Sequence, residues 1–385
     1  MHACRFIISH LTPIDLVCLK PLTARSDLME YMILASSLLI LLVTWACTAT
    51  ATATAPAPAV EELPVAEHFE RWMIRHERSY KDDLEKAKRF EIFKKNKEYV
   101  ESFNRAENRS YRLGFNAFSD MTDEEFTAKY FKNCSRGPGP QRRRRHAPPE
   151  PPLFQENVSL EQLPPSVDWR EQGAVTDVKD QGGCGCCWAF AAVAAMEGLN
   201  KIRSEILLDL SEQQLLDCDT DSFGCAGGSV MYAFEYAVEK GGLAMEIDYP
   251  YVGVQQTCRD ADVDTFAGIS GYRVVPWNSE TALRSAVAKQ PVTIVVSYSA
   301  GFVPSFKNYD GGVFVPGPSG DCGTGVDHAM VVVGYDTVVP FVPFWIVKNS
   351  WGSNWGEDGY IRIAREGGLS GPCSMYQEAI FPVTS

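Results

Sequence analysis

The sequence predicts an α+β fold, because helical and strand patterns occupy different parts of the chain. An apolar run predicts a helix at 188–196, and a capping pattern predicts a helix at 211–217. Alternating or continuous apolar runs predict strands at 292–298, 329–335 and 344–347. The 385 residues are enough for two or three domains. These local patterns are compatible with a chain that has helices first and strands later.

The N-terminal region has the pattern of a secretory signal. Residues 31–47 form an uncharged apolar run, and a small-residue tract at 48–59 follows it. The run lies unusually far from Met1 and lacks a clear positive n-region, so either translation begins at Met29 or Met32 or the segment is a signal anchor. A run of about 17 residues is short for a bilayer span, which favours cleavage. Residues 1–52 are interpreted as an N-terminal extension and signal peptide.

A helical stripe marks the next region. Six residues recur at steps of three or four and would lie along one face of a helix: Glu85, Arg89, Phe93, Asn96, Val100 and Asn104. A second motif, Gly-Phe-Asn-Ala-Phe-Ser-Asp, follows at 114–120. An amphipathic helix of an unrelated bundle would explain the spacing but not both motifs together. Residues 60–130 are predicted to form a helical domain of their own.

Residues 131–162 are predicted to be a linker. Pro, Gly and Arg dominate 136–152, a composition that disfavours both helix and sheet. The arginine run at 142–145 could bind nucleic acid or act as a nuclear signal. In a secretory chain a solvated, protease-sensitive linker is the better interpretation, so no nucleic-acid partner is expected.

Cys187 is the candidate nucleophile, because His328 is the only histidine downstream with which it could pair. A thiol needs an imidazole or a helix N-terminus to hold it as thiolate at neutral pH. The apolar run at 188–196 predicts a buried helix with Cys187 at its positive end. The separation of about 140 residues lies within the range known for papain and cathepsins. These residues alone predict a cysteine hydrolase.

From about residue 61 onward the chain resembles papain-like cysteine peptidases. Its active-site segments match at 181–190, 326–329 and 345–352. By this resemblance Cys187 is the nucleophile, His328 is the general base and acid, and the side-chain carbonyl of Asn349 orients the imidazole. Gln181 would donate its side-chain amide to the oxyanion beside the backbone N–H of Cys187. Trp351 would cover the hydrogen bond between His328 and Asn349.

The resemblance also implies the architecture. A papain-like two-domain fold has a mainly helical L domain, a β-barrel-like R domain and an active site in the cleft between them. The motifs at 85–104 and 114–120 resemble the two motifs of the family's inhibitory propeptide, which assists folding and then lies across the cleft. The segment 163–169 resembles the start of mature enzymes, so 163–385 is predicted to be the peptidase domain.

Eight cysteines follow residue 163, and sequence alone cannot assign their pairing. The resemblance implies the pairs Cys184–Cys225, Cys218–Cys258 and Cys322–Cys373, leaving Cys187 free and Cys186 as an extra thiol. An alternative is a zinc site of four thiolates from Cys184, Cys187, Cys218 and Cys225. The signal peptide and the lone histidine argue against zinc, and neither a metal nor a cofactor is expected.

The substrate pocket is predicted by matching outward from Cys225 and Cys373. The pocket for the second residue before the scissile bond would be lined by Ser229, Val230, Val295, Val326 and Ala329, with Glu378 at its base. Gly227 and Gly228 would offer backbone to an extended substrate. Glu378 resembles the acidic residue that lets some family members accept arginine. The alternative is that Glu378 turns to solvent and the pocket is simply hydrophobic.

The predicted protein is a secreted or vacuolar/lysosomal cysteine endopeptidase made as an inactive zymogen. Its partners would be polypeptide substrates, its own propeptide and cystatin-type inhibitors, and we expect a monomer without a stable membrane anchor. A catalytically silent storage or binding protein is the main alternative. A transglutaminase-like enzyme shares the Cys–His chemistry but would not need the propeptide motifs.

Charge is divided unevenly between precursor and enzyme. Residues 163–385 carry 27 acidic and 13 basic side chains, a net charge of −14, whereas the whole chain carries −13. Basic residues are concentrated at 81–97 and 142–145. We therefore expect the precursor to be inactive near neutral pH, and acid to weaken the attraction between these stretches and the peptidase surface.

Three Asn-x-Ser sequons, at Asn108, Asn133 and Asn157, all precede residue 163. We predict that the mature enzyme carries no N-glycan, because the glycans leave with the precursor segment. Digestion with an endoglycosidase should shift the precursor band on a gel and leave the mature band where it is. A shift of the mature band would contradict the prediction.

Overall fold

The structure is a computed structural model that describes residues 64–131, 153–155, 160–316, 322, 327–338, 342–365 and 370–384. The predicted signal region, most of the predicted linker, Val326, Asn133 and Asn157 lie outside these residues. Among the described residues no helix is both long and apolar enough to cross a membrane. The propeptide region and the peptidase region belong to one compact unit.

Residues 64–131 form a helical unit with one strand. Its elements are α1 (Val65–Arg75), α2 (Asp83–Arg105), β1 (Tyr111–Leu113) and α3 (Asp123–Tyr130). Asp82 caps α2 by accepting a hydrogen bond from the backbone of Glu85. Thr122 and Glu125 form a reciprocal capping box on α3. A small core of aromatic side chains, built on Phe69, Trp72 and Phe93, holds α1 against α2.

The six-residue stripe lies on α2 as the spacing predicts. Phe93 is fully buried in the aromatic core. Asn96 donates a hydrogen bond to the carbonyl of Ser119 at 2.8 Å, within the second motif. Asn104 exchanges two hydrogen bonds with the backbone of Leu113, at 2.7 and 2.9 Å. The stripe therefore fastens the second motif and β1 to the helix.

The peptidase region has helices first and a sheet later. Its helices are α4 (Cys187–Ser204), α5 (Glu212–Cys218), α6 (Val230–Lys240), α7 (Glu280–Val287) and α8 (Val303–Lys307). Its strands are β2 (Val167–Asp168), β3 (Gly271–Val274), β4 (Val292–Val296), β5 (Tyr309–Phe314), β6 (His328–Val338), β7 (Val342–Lys348), β8 (Tyr360–Ala364) and β9 (Ala379–Val383). Ser211 caps α5, but the side chain of Gln214 accepts from Ala244 instead of completing a capping box.

The strands form one nine-stranded sheet in the order β1-β5-β8-β7-β6-β4-β9-β3, with β2 paired to β6. All pairs are antiparallel except β5 with β8. Strand β1 comes from the propeptide and extends the sheet at β5, where Tyr111 faces Gly312. A Cβ on Gly312 would lie 2.5 Å from the carbonyl oxygen of Ser110, so this close pairing requires glycine.

Three disulfides, Cys184–Cys225, Cys218–Cys258 and Cys322–Cys373, have the pairings that the resemblance implies. Cys186 is a free, buried thiol. The bridges occupy the sulfurs of Cys184, Cys218 and Cys225, which therefore cannot serve as thiolate ligands. This excludes the four-thiolate zinc site in the folded state described here.

Candidate active site

Cys187 is the first residue of α4, and its side chain is fully buried. The first turn of α4 carries no acidic residue that would oppose the helix dipole. The backbone N–H of Ala329 donates to the sulfur of Cys187 at 3.4 Å, so the sulfur lies beside the residue that follows His328. Helix and sheet thus bring the two predicted residues together across a separation of 141 positions.

The expectation that Cys187 stays outside every disulfide is wrong for this state of the chain, because Cys187 is disulfide-bonded. A thiol that readily ionises is also readily drawn into a disulfide. Reduction must therefore precede any nucleophilic chemistry at this sulfur.

Hydrogen bonds fix the tautomer of His328. The side-chain oxygen of Asn349 accepts from the backbone N–H of Ser350 at 2.9 Å, which identifies it as the carbonyl oxygen. It lies 2.7 Å from Nε2 of His328, so Nε2 must carry a hydrogen. In the neutral ring the other nitrogen, Nδ1, then holds the basic lone pair. Nδ1 has no hydrogen-bond partner among the described residues.

Trp351 lies on the imidazole. Its ring stacks on that of His328 with centroids 4.6 Å apart and planes 27° apart, and it is 2% exposed. Both partners of the hydrogen bond between His328 and Asn349 are buried as well. Water therefore has little access to compete for that bond.

Gln181 is completely buried and held at both ends of its side chain. Its Nε2 donates to the carbonyl of Cys184 at 2.8 Å, and its Oε1 lies 2.6 Å from the hydroxyl of Ser350. Its backbone N–H donates to the carbonyl of Ser350 at 2.9 Å. An amide nitrogen has two hydrogens, so Nε2 keeps a second one to offer to a substrate oxygen.

Aromatic residues of the propeptide cover these groups. Phe131 was expected to begin the linker, but it is buried with the helical unit. Its ring lies edge-on to that of His328 with centroids 5.6 Å apart, and 4.4 Å from the ring of Tyr298. Trp351 contacts a further set from the same segment: Phe118, Phe126 and Tyr130. These propeptide rings belong to the same apolar core as the peptidase. The propeptide thus buries the predicted catalytic side chains.

Burial under this cover changes the titration of His328. Complete desolvation lowers the pKa of the imidazole from 6.5 to about 4, and the hydrogen bond to Asn349 opposes this only in part. An exposed imidazole takes a proton as the pH falls through 6.5, whereas the buried one does not until about pH 4. Acid therefore favours the state in which the propeptide has left His328, and the closed state loses stability across this window.

In the ion pairs between propeptide and peptidase, the cation comes from the peptidase in one pair and from the propeptide in another. Lys307 of the peptidase is fully buried and pairs with Asp123 of α3 at 2.7 Å. Arg112 of β1 pairs with Asp310 at 2.7 Å. Burial is the main cause that lowers the pKa of Lys307, and the attraction of Asp123 opposes it.

The described ion pairs do not show the predicted attraction between the basic stretch at 81–97 and the peptidase surface. Lys88 and Arg89 pair with Glu125, Lys86 with Glu70 and Lys97 with Glu101, all within the propeptide. The reason is helical spacing and packing, which give these cations nearer carboxylates on their own domain.

Sheet register assembles part of the predicted pocket. Val295 of β4 faces Ala329 of β6, and the backbone N–H of Val295 donates to the carbonyl of Glu378 at 3.2 Å. Val230 is buried at the start of α6, where the hydroxyl of Ser229 caps the helix. Burial raises the pKa of Glu378 above its ordinary 4.5.

The two glycines predicted to offer backbone to the substrate are also required by the packing and backbone geometry of this loop. Gly227 and Gly228 are both buried in this state. A Cβ on Gly228 would lie 2.5 Å from the indole of Trp188, which is itself fully buried and cannot move away. Gly227 has a φ of 119°, which a side chain would strain.

A buried charge cluster behind the site was missed by sequence reasoning. Lys179 contacts Glu197 at 3.3 Å and Glu212 at 2.9 Å, and Thr176 joins Glu197 to Lys348. The carboxylates favour the charged form of Lys179 and raise its pKa against the cost of burial. Their position in the sequence could have indicated these lysines. Lys179 lies two residues before Gln181, and Lys348 lies one residue before Asn349.

Comparisons with known proteins agree with this geometry. Residues 163–383 match the model of the papain family cysteine proteases, and residues 69–126 match the cathepsin propeptide inhibitor domain. Fruit bromelain of Ananas comosus is 42% identical over 83% of this chain and 86% of its own length. The senescence-specific cysteine protease SAG12 of Arabidopsis thaliana is 43% identical over 81% of this chain and 88% of its own.

Solved proforms share the fold. A recombinant stem bromelain precursor superposes with a TM-score of 0.75 at 42% identity, covering 84% of this chain and 99% of its own. The proform of Amb a 11, a ragweed pollen cysteine protease, gives 0.72 at 39% identity, covering 83% and 95%. The chain belongs to the papain family of cysteine proteases. It is a cysteine-type endopeptidase made as a zymogen with an inhibitory propeptide.

We predict that Phe131→Ala raises the pH at which the precursor converts. Deleting a buried aromatic ring costs about 3 to 5 kcal/mol, and one pH unit changes the free energy of one titrating group by about 1.4 kcal/mol. The midpoint of conversion, followed on gels across a pH series, should rise by about one unit or more. Ile74→Ala, at an exposed propeptide position, is the control and should not move it. An unchanged midpoint in Phe131→Ala would show that this ring does not hold the cover closed.

Proposed function

We propose that Cys187 is the nucleophile, His328 the general base and acid, and Asn349 the residue that orients the imidazole. The observation that carries the proposal is the hydrogen bond between Nε2 of His328 and the carbonyl oxygen of Asn349, which leaves Nδ1 for the sulfur. Trp351 shields this bond from water. Gln181 is the side-chain donor of the oxyanion hole.

The reaction is hydrolysis of a peptide bond in two steps. The thiolate of Cys187 attacks the scissile carbonyl, a carbon–sulfur bond forms, and Gln181 with the backbone N–H of Cys187 stabilises the oxyanion. His328, as imidazolium, protonates the leaving amine as the carbon–nitrogen bond breaks. Neutral His328 then takes a proton from water, which attacks the thioester and releases the acid and the thiol. No metal or cofactor takes part in these steps.

The proposed enzyme matures by losing everything before about residue 163, through cleavage in the linker at 131–162. The cover over His328 and its lowered pKa support activation by acid. We place the protein in the secretory pathway, with the vacuole or lysosome or the extracellular space as its destination. It acts on polypeptides as a monomer that cystatin-type inhibitors can block.

Cys187→Ala should accumulate as a stable full-length precursor at acidic pH when no other protease is present, because the proposed nucleophile is gone. The wild type, under the same reducing conditions, should convert and then be labelled by an epoxide that alkylates cysteine nucleophiles. Gel mobility and mass spectrometry measure both. Maturation of the variant alone would refute self-processing. Failure of the epoxide to label the wild type would favour a catalytically silent protein.

The proposed specificity follows from a pocket that is apolar along its wall and acidic at its base. Val230, Val295 and Ala329, with Val326, would accept Leu, Val or Phe by burial. Ser229 would widen the entrance. Glu378, half-buried just before β9, would pair with the guanidinium of an arginine. We expect cleavage of Phe-Arg and Leu-Arg substrates, with secondary cleavage after Arg-Arg.

Glu378→Ala should abolish Arg-Arg cleavage selectively and leave Phe-Arg cleavage within about twofold, because only arginine needs the carboxylate. In the wild type the ratio of kcat/KM for Arg-Arg to that for Phe-Arg should fall on acidification. The fall should begin above pH 4.5, since burial raises the pKa of Glu378. Equal Arg-Arg turnover in both proteins would show that Glu378 does not read the substrate.

A further inference from the structure

We propose that Tyr251 is a positioning residue of the oxyanion hole. Its hydroxyl holds the backbone of Gln181 and thereby fixes the direction in which the Gln181 amide points. The inference rests on the proposed role of Gln181 as oxyanion donor.

A directed chain of hydrogen bonds ends at Gln181. The hydroxyl of Tyr251 lies 2.7 Å from the carbonyl oxygen of Gln181, which can only accept. A phenol has one hydrogen, and this contact uses it. The sulfur of Cys186 lies 3.1 Å from the same hydroxyl oxygen, so the thiol must be the donor there. The order is Cys186 S–H to Tyr251 O–H to Gln181 C=O.

Both donors keep their protons at any pH at which the enzyme works. Burial is the main cause that raises the pKa of Cys186 to about 12, and it raises that of Tyr251 as well. The chain is therefore a fixed support, and Cys186 is an inert thiol despite being next to the nucleophile.

Tyr251 is itself rigidly mounted. Its ring packs edge-on against Phe190 of α4, with centroids 4.9 Å apart. Its backbone N–H donates to the carboxylate of Glu246 at 2.8 Å. Because α4 begins at Cys187, Tyr251 joins the loop that carries the oxyanion donor to the helix that carries the nucleophile. An oxyanion donor acts only at about 2.7 to 3.1 Å from the developing charge, so small displacements matter.

The test compares two reactions of the same sulfur in Tyr251→Phe, which keeps the ring and removes the hydroxyl. A peptide aldehyde adds to Cys187 as a tetrahedral adduct whose oxygen occupies the oxyanion position, whereas alkylation by iodoacetamide forms no oxyanion. We expect kcat and aldehyde affinity to fall together by about three- to tenfold, the effect of losing one neutral hydrogen bond. KM and the alkylation rate should stay within about twofold of wild type.

Three variants complete the design. Tyr236→Phe makes the same chemical change in the same half of the enzyme, at a hydroxyl whose partner is Asp260, and should leave all four values unchanged. Cys186→Ser keeps a donor to Tyr251 and should behave as wild type. Cys186→Ala removes that donor and should lower kcat and aldehyde affinity by about threefold, while KM and the alkylation rate stay as in wild type. It tests the same chain independently if Tyr251→Phe does not accumulate as folded precursor.

The outcomes separate the inference from the function on which it rests. Gln181→Ala should weaken aldehyde binding by about 100-fold or more. If Gln181→Ala has no effect, the proposed oxyanion role of Gln181 fails. If Gln181→Ala weakens aldehyde binding but Tyr251→Phe does not, the positioning role alone is overturned. Equal losses of alkylation and aldehyde binding in Tyr251→Phe would also overturn it, because they would indicate general loosening of the site.

Discussion

In the proposed mechanism the imidazole of His328 carries a proton, and the precursor disfavours this charged form by burying the ring completely. Desolvation disfavours the charged form, and the propeptide rings around His328 and Trp351 supply no counter-charge. Under this proposal the propeptide would suppress the chemistry of His328 as well as block access to the site. The same burial makes the closed state less stable as the pH falls below 6.5, so it would contribute both to inhibition and to the proposed activation by acid.

Other groups of the propeptide respond to pH in the same direction. Burial lowers the pKa of His68, which lies edge-on to Phe115, and that of His76. Both rings are half-buried within the propeptide, so acid that protonates them favours loosening of the propeptide itself.

The sequence alone predicts the parts of the structure that follow from local pattern. The stripe on α2 and the helix that begins at Cys187 depend on periodicity within one segment, and both are confirmed. Family resemblance supplies the disulfide pairs, whose partners lie 40 to 51 residues apart.

What could not be predicted depends on contacts between distant segments. Lys307 binds residues about 190 to 210 positions away, and Tyr251 binds Gln181 across 70 positions. Nothing in the local sequence of either residue marks these partners. The expected attraction of the basic stretch at 81–97 was wrong for a related reason, since net charge does not say which carboxylate is nearest after folding.

Strand β5 has a further consequence for how the enzyme tolerates change. Asp310 belongs to the peptidase, yet the ion pair of its carboxylate is made with Arg112 of the propeptide, which is absent once the propeptide is lost. The mature sequence therefore retains a residue whose ion pair is made only in the precursor. A library of variants screened as refolded mature enzyme would tolerate substitutions at such a position. Natural selection would not tolerate them equally, because the chain must first fold as the precursor.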